Sequence, residues 1–189
     1  MAQGTPATLV EVGTAFGGLA HHLLGRLPLL RLVAVDPFLP YDPGDEQSRV
    51  LERAQMKFAG RGRTETGSEL WARAMRFDMA GAFGCRYRLV HAASVAAADE
   101  EAVGGSAVDA VFIDGDHTYR GIEADLAAWR LLVRENGLLM FNDYDYGMFP
   151  GVKAMVDAHA VMTGQNVIVI GEPRHHNVAL HNLPFLAAR

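Results

Sequence analysis

Thr8-Leu9-Val10-Glu11-Val12-Gly13-Thr14-Ala15-Phe16-Gly17-Gly18 is the stretch on which the fold turns. Residues 8–12 are short, apolar and rich in β-branched side chains, the composition of a buried strand. Gly13, Gly17 and Gly18 then break the pattern, and Leu19, Leu23, Leu24 and Leu27 return at helical spacing, with Gly25 as a plausible stop. A strand that runs through a glycine-rich turn into a helix is the first half of a βαβ unit, and such units build parallel sheets.

The rest of the chain repeats the alternation. Residues 31–35 read as a second buried strand ending on Asp36, followed by a loop in which Pro37, Pro40, Pro43 and Gly44 prevent regular structure. Helices are expected over 46–58 and 65–79, with the Gly- and Arg-rich residues 60–67 between them as a mobile loop. Residues 87–91 form a third strand, and 108–113, continuously apolar, a central fourth one buried on both faces. Ile122, Leu126, Trp129 and Val133 line one face of a helix that should stop at Asn136-Gly137, before a fifth strand at 138–141. Pro150 suits the first turn of another helix, carrying Val152, Met155, Val156 and His159. Residues 167–170 and 177–181 are joined by a turn too short for a crossover helix, so they should pair antiparallel. With no repeat or linker in its 189 residues, the chain reads as one α/β domain, 1–189.

Composition narrows the function. A net charge of −5 with scattered basic residues gives no footprint for nucleic acid. Cys85 is the single cysteine, so no intrachain disulfide can form, and the cytoplasm is the simplest location. Residues 1–7 lack the basic and apolar regions of a signal peptide, and no apolar run nears the roughly 20 residues that span a bilayer, so no membrane partner is expected.

Ligands of open parallel sheets sit beyond the carboxyl ends of the strands, and five successive strand ends here carry polar or flexible residues. The first loop lacks the G-x-G-x-x-G spacing of a pyrophosphate cradle, which argues against a nicotinamide cofactor. Glu11, ahead of that loop, can pair with a cation, so a cofactor with an ammonium and no phosphate fits; an ordinary turn with a solvated Glu is the alternative. Asp36 suits the hydroxyls of a ribose, or a turn cap before Pro37. Asp114-Gly115-Asp116-His117-Thr118-Tyr119 sets two carboxylates and an imidazole where a buried strand ends. With Asn142 and Asp143 after the next strand they make an oxygen-rich cluster suited to Mg²⁺ or another hard cation, unless Asp116, Thr118 and Asp143 serve as caps. An imidazole titrates near neutral pH, so His117 can take a proton from a hydroxyl. The pairs His21-His22 and His175-His176 have no acidic partner in sequence and read as surface residues.

Together, EVGTAFGG (11–18), VAVDPF (33–38), HAAS (91–94), VDAVFIDGDHTY (108–119) and the run from Gly137 through NDYDY to PGVKAMVDAH resemble the class I AdoMet-dependent methyltransferases. Within that group they look most like small-molecule O-methyltransferases, such as those acting on macrolide sugars and, more distantly, catechol. The resemblance covers about residues 9–159, and the IDGDHTY and PGV segments are its most specific part. It implies a Rossmann-like, doubly wound sheet of seven strands in the order 3-2-1-4-5-7-6, mostly parallel with the last strand antiparallel. It also implies S-adenosyl-L-methionine (AdoMet) as cofactor: Glu11, Gly13, Thr14 and Gly17 near the methionine moiety, Asp36 on the ribose, Ser94 near the adenine, and Asp114 bordering the same site. In metal-dependent relatives the positions of Asp114, Asn142 and Asp143 hold Mg²⁺, and His117 stands where the catechol enzymes keep a lysine base.

The expected reaction is in-line methyl transfer to a hydroxyl of a small-molecule acceptor, a sugar or a phenol, with His117, or Asp114 through a metal, receiving the proton. Relatives carry N-terminal helices that cover the cofactor, whereas this chain starts almost at its first strand. Residues 40–84, a second subunit in a homodimer, or a part of the protein outside this chain would supply that cover. The rival readings are a non-catalytic AdoMet-binding or scaffold subunit, which would bind without turnover, a nucleotide-sugar or NAD-binding enzyme of similar fold, and a metal-dependent hydroxylase-like relative.

Overall fold

The computed structural model describes residues 4–39, 67–99, 103–171 and 177–181. Five parallel strands form the centre: β1 (Ala7–Val12), β2 (Leu30–Val35), β3 (Tyr87–Val90), β4 (Val108–Ile113) and β5 (Val133–Phe141). β6 (Ile168–Ile170) and β7 (Asn177–His181) complete one edge, with β7 antiparallel to both β5 and β6. The strands lie in the order β3-β2-β1-β4-β5-β7-β6. The strand order reverses between β1 and β4, the switch point at which open α/β sheets hold ligands.

The helices are α1 (Gly18–Arg26), α2 (Gly67–Phe83), α3 (Ser94–Ala97), α4 (Tyr119–Trp129) and α5 (Pro150–Thr163). Because side chains alternate across a strand, β1 sends Val10 and Val12 to one face and Leu9 and Glu11 to the other. Val10, Val12, Ile113 and Phe141 pack with Ile122 and Trp129 of α4 and Val152 and Val156 of α5. Leu9, Leu32 and Leu89 pack with Leu24 of α1 and with Met75 and Met79 of α2. The sheet is thus covered on both faces, as the continuously apolar strands require.

Three expectations need correction. Gly25 lies inside α1, which ends one residue later when the Leu27 N–H reaches the Leu23 carbonyl. The helix after β4 stops at Trp129, not at Asn136-Gly137; Val133 already belongs to β5. Val108 faces Val133 while Ala110 faces Leu138, so β5 carries a bulge. Asn136 has φ 57° there, and a Cβ on Gly137 would lie 2.7 Å from the Asp109 carbonyl oxygen. The Asn-Gly signal marked a bulge, which uses the same backbone conformation as a helix stop. The helix expected over 65–79 is α2; the one over 46–58, residues 60–66 of the expected loop, and His175-His176 lie outside the described residues.

Gly151, in the first turn of α5, joins the PGV and IDGDHTY segments physically. A Cβ there would stand 2.4 Å from the Tyr119 amide nitrogen and 2.8 Å from the His117 carbonyl oxygen. Both obstacles are backbone, so Gly151→Ala should cost about 1–3 kcal/mol in urea denaturation. Gly81 in α2 has nothing within 4 Å of its Cβ position. Gly81→Ala should therefore stabilise by about 0.5–1 kcal/mol in the same measurement.

Candidate active site

The residues just past the strands are held in a row by backbone hydrogen bonds that continue the parallel ladders. Asp36 N–H donates to the Val90 carbonyl (3.2 Å), Gly13 to Val35 (2.9 Å), Asp114 to Val12 (2.8 Å) and Asn142 to Ile113 (3.0 Å). Four of the expected site positions are thereby set side by side at the carboxyl edge. Gly13, at φ 85°, passes so close to the next loop that a Cβ would lie 2.2 Å from the Asp114 carbonyl oxygen. The first loop needs its glycine to clear the protein's own backbone at the switch point, whatever ligand it meets.

Glu11 is 3% exposed and accepts a 2.8 Å hydrogen bond on Oε2 from the Thr14 hydroxyl. Thr14 therefore serves the site through Glu11. Burial, reinforced by the nearby carboxylates Asp114 and Asp36 and opposed by Thr14, pushes the Glu11 carboxyl up to about 8. A buried acid beside two more acids is the electrostatic complement of a cation.

Asp36 organises its surroundings. Oδ2 accepts from the Ala15 N–H at 2.8 Å and Oδ1 from the Phe38 N–H at 2.6 Å, pinning the first and second loops together. Ala15 and Phe38 both adopt positive φ, 44° and 50°. Burial raises the Asp36 carboxyl above its usual value, while the N–H groups of Ala15, Phe38 and Thr14 and the nearby His91 pull it down.

The first loop is covered by α2. The Trp71 indole N–H donates to the Ala15 carbonyl (3.2 Å), its ring meets Phe16 edge-on at 5.4 Å, and the Met75 methyl lies over Gly17. Of the covers considered from sequence, the described part of residues 40–84 supplies this one. Trp71 and Met75 escaped the sequence reading because they look like an ordinary apolar helix face. α1 begins at Gly17, φ 70°, with no side-chain cap and no acid in its first turn, which leaves an N-terminus suited to an anionic group.

Across the switch point, Asn142 Nδ2 donates to Asp114 Oδ1 at 2.6 Å. His117 Nε2 lies 3.3 Å from Asp114 Oδ1 and 3.7 Å from Asp143 Oδ2. The His117 ring is 5% exposed and stacked on Phe149 at 4.4 Å. The ring lies beneath the more open Asp114, with its Nε2 edge turned to the two carboxylates. The caps are resolved too. Thr118 Oγ1 accepts from the Gly121 N–H and caps α4, and Asp116 Oδ1 accepts from the Thr118 N–H.

Mg²⁺ does not fit the donor set as it stands. Asn142 presents its amide N–H₂, not its oxygen, to Asp114, and among the described residues no three His, Cys, Asp or Glu side chains are grouped to hold a metal. The Ser94 hydroxyl accepts from the Trp129 indole N–H at 2.8 Å and hydrogen-bonds the Asp125 carboxylate, so the side chain faces α4. Asp125 was missed; its signal was an acid on the apolar stripe of Ile122, Leu126 and Trp129.

A sheet with this site at its switch point defines a nucleotide-type cofactor fold, and comparison gives the class: residues 10–144 match the methyltransferase domain family, and the chain belongs to it. That family implies AdoMet as the cofactor. Among solved structures, the O-methyltransferase NovP is 20% identical, with 94% of this chain and 72% of that one covered at a TM-score of 0.60. CalS11, a TDP-rhamnose 3'-O-methyltransferase of calicheamicin biosynthesis, is 18% identical over 92% of this chain and 71% of its own, at 0.53. An O-methyltransferase family protein from Burkholderia thailandensis is 16% identical, at 0.53, over 92% of this chain but only 50% of its own. These likenesses show a shared fold. No curated protein sequence matches the chain significantly.

The Glu11 carboxyl fixes a pH dependence. With the folded value near 8 against an unfolded one near 4.5, the native state binds the extra proton between those limits. Stability contributed by the protonated acid is therefore lost as pH rises toward and through 8. Glu11→Gln, neutral at every pH, should melt above the wild type at pH 8.5 by about 4 °C, the shift expected for roughly 1–2 kcal/mol in a chain of this size. The two proteins should converge near pH 5, and differential scanning fluorimetry across that range reads both.

Proposed function

We propose that this protein is an AdoMet-dependent O-methyltransferase acting on a hydroxyl of a small molecule, a sugar or a phenol. The observation that carries the reading is Glu11, an acid only 3% exposed beside Asp36 and Asp114, at the switch point of a methyltransferase fold. Such a group gains most from a cationic ligand. The O-methyltransferase neighbours support oxygen as the acceptor atom.

Bound AdoMet supplies a sulfonium methyl group for transfer. Glu11 meets the cationic amino-acid end, and the uncapped start of α1 suits its carboxylate. Asp36, already held by the N–H groups of the first and second loops, would accept from the ribose hydroxyls. Trp71 and Phe16 stand over the first loop and hold its shape. On the other side, the Asp114 carboxylate is held at Oδ1 by the Asn142 amide and flanked by His117. It would receive the proton that the acceptor hydroxyl loses when methyl transfer forms the C–O bond and breaks the sulfonium S–C bond, whose electron pair stays on sulfur. Asp143 faces the same imidazole edge and completes its setting. No step is routed through Mg²⁺.

The chain is read as acting in the cytoplasm on a small molecule, without nucleic acid. Cys85 is free and exposed, and no helix among the described residues is long and apolar enough to cross a membrane.

Calorimetry with AdoMet and S-adenosylhomocysteine should show binding that Asp36→Ala weakens at least tenfold, roughly the worth of one charge-assisted hydrogen bond. At pH 7, repeating the titration in buffers of different ionisation enthalpy should reveal proton release by the wild type and none by Glu11→Gln. In an acceptor screen, Asp114→Asn should retain cofactor binding and lose about 10²- to 10⁴-fold in kcat. EDTA should leave the wild-type rate unchanged. A folded protein that binds neither ligand refutes the proposal, and binding without turnover across the screen favours the scaffold reading.

A further inference from the structure

Asp125 is a buried acid that the proposed reaction does not use. It is 5% exposed, on the face of α4 that carries Ile122, Leu126 and Trp129 into the core. Its carboxylate accepts a hydrogen bond from the Ser94 hydroxyl, while the Trp129 indole N–H donates to the same hydroxyl at 2.8 Å. A Cβ on Gly115 would lie 3.8 Å from Asp125 Oδ2 and 3.5 Å from Val12. Asp125 therefore sits under the loop after β4 and grips the start of the segment after β3.

Those two loops are not neighbours. β2 and β1 lie between β3 and β4 in the sheet, so the Ser94 contact with α4 closes a tie across the carboxyl ends of two strands. The cofactor reading above orders a ligand along the same edge, with the cationic end at Glu11 after β1 and the ribose at Asp36 after β2. A base attached to that ribose continues toward the chain after β3, which is the segment the tie holds down.

We propose that Asp125 is a positioning residue for the nucleoside end of the cofactor, fixing the segment that begins at Ser94 against α4 so that it forms one wall of the base site. This rests on the methyltransferase reading. A second observation supports a functional reason for the acid: burial pushes its carboxyl up to about 6, with Asp116 adding to the shift and Ser94 opposing it, so at pH 7.5 the ionised group works against folding. A neutral isostere would satisfy the core better.

The test measures the affinity of two probes by calorimetry at pH 7.5, S-adenosylhomocysteine and 5'-methylthioadenosine, which lacks the amino-acid end, together with the melting temperature. Asp125→Asn should weaken both probes by the same factor, about three- to tenfold, as a charge-assisted hydrogen bond becomes a neutral one, with a melting temperature equal to or above the wild type. Ser94→Ala should weaken both by about tenfold by leaving Asp125 and Trp129 without their shared partner. Ser94→Thr should restore most of that loss, and the Asp125→Asn, Ser94→Ala double variant should be no weaker than Ser94→Ala alone. Glu11→Gln, by contrast, should weaken S-adenosylhomocysteine and spare methylthioadenosine. Wild-type affinity for both probes in Asp125→Asn and Ser94→Ala overturns the proposal. So does affinity lost only in step with a fallen melting temperature, or a loss confined to S-adenosylhomocysteine. If Asp125→Asn does not fold, the Ser94 pair decides by the same criteria. A wild type that binds neither probe overturns the methyltransferase reading and, with it, this one.

Discussion

The site depends on one close approach, where β1 and β4 continue their parallel ladder one residue past their ends. The Asp114 N–H reaches the Val12 carbonyl, and Gly13 passes over the Asp114 backbone with no room for a Cβ. That contact brings the acid below the first loop to the same crevice as the acid beginning the fourth. Without it, Glu11 and Asp114 would belong to separate loops. With it, the Asp114 carboxylate adds to the cost of a charge on the buried Glu11.

The remaining contacts stabilise this arrangement from both sides of the sheet. On the α1–α2 face, Asp36 pins two left-handed residues, Ala15 and Phe38, and Trp71 closes over the loop so formed. On the α4–α5 face, Gly151 lets α5 lie against the backbone of residues 117–119, which keeps His117 under Phe149 and beside Asp114. In the reaction proposed above, the labour divides along the strand alternation: the face that receives Glu11 would handle the cofactor's charge, and the loops after β4 and β5 would supply the proton acceptor.

Much of the framework was legible in the chain itself. β4 at Val108–Ile113 and β7 at Asn177–His181 stand at their expected boundaries, and Pro150 opens α5, because an unbroken apolar run and a fixed proline φ are local facts. The Asn136-Gly137 pair was misread because a bulge and a helix stop ask for the same left-handed backbone, and only the distance to Asp109 on the neighbouring strand separates them. Sequence gives the loops that Ser94 and His117 occupy but not the direction of their side chains, which contacts with Trp129, Asp125 and Asp114 decide. Asp125 went unread because an apolar stripe tolerates one polar member in sequence, while in three dimensions that member must find a partner.

The sequence by itself determined the parallel α/β framework and the five strand ends on which polar residues gather, since hydrophobic period and turn chemistry act over a few residues. Only the tertiary structure decided what those residues do to one another: that Thr14 serves Glu11, that Asn142 turns its amide to Asp114 where a metal ligand would turn its oxygen, and that Ser94 answers to Trp129 and Asp125. Hydrogen bonds and desolvation are set by distances of a few ångströms between residues far apart in the chain, and those distances exist only once the sheet has brought the strand ends together.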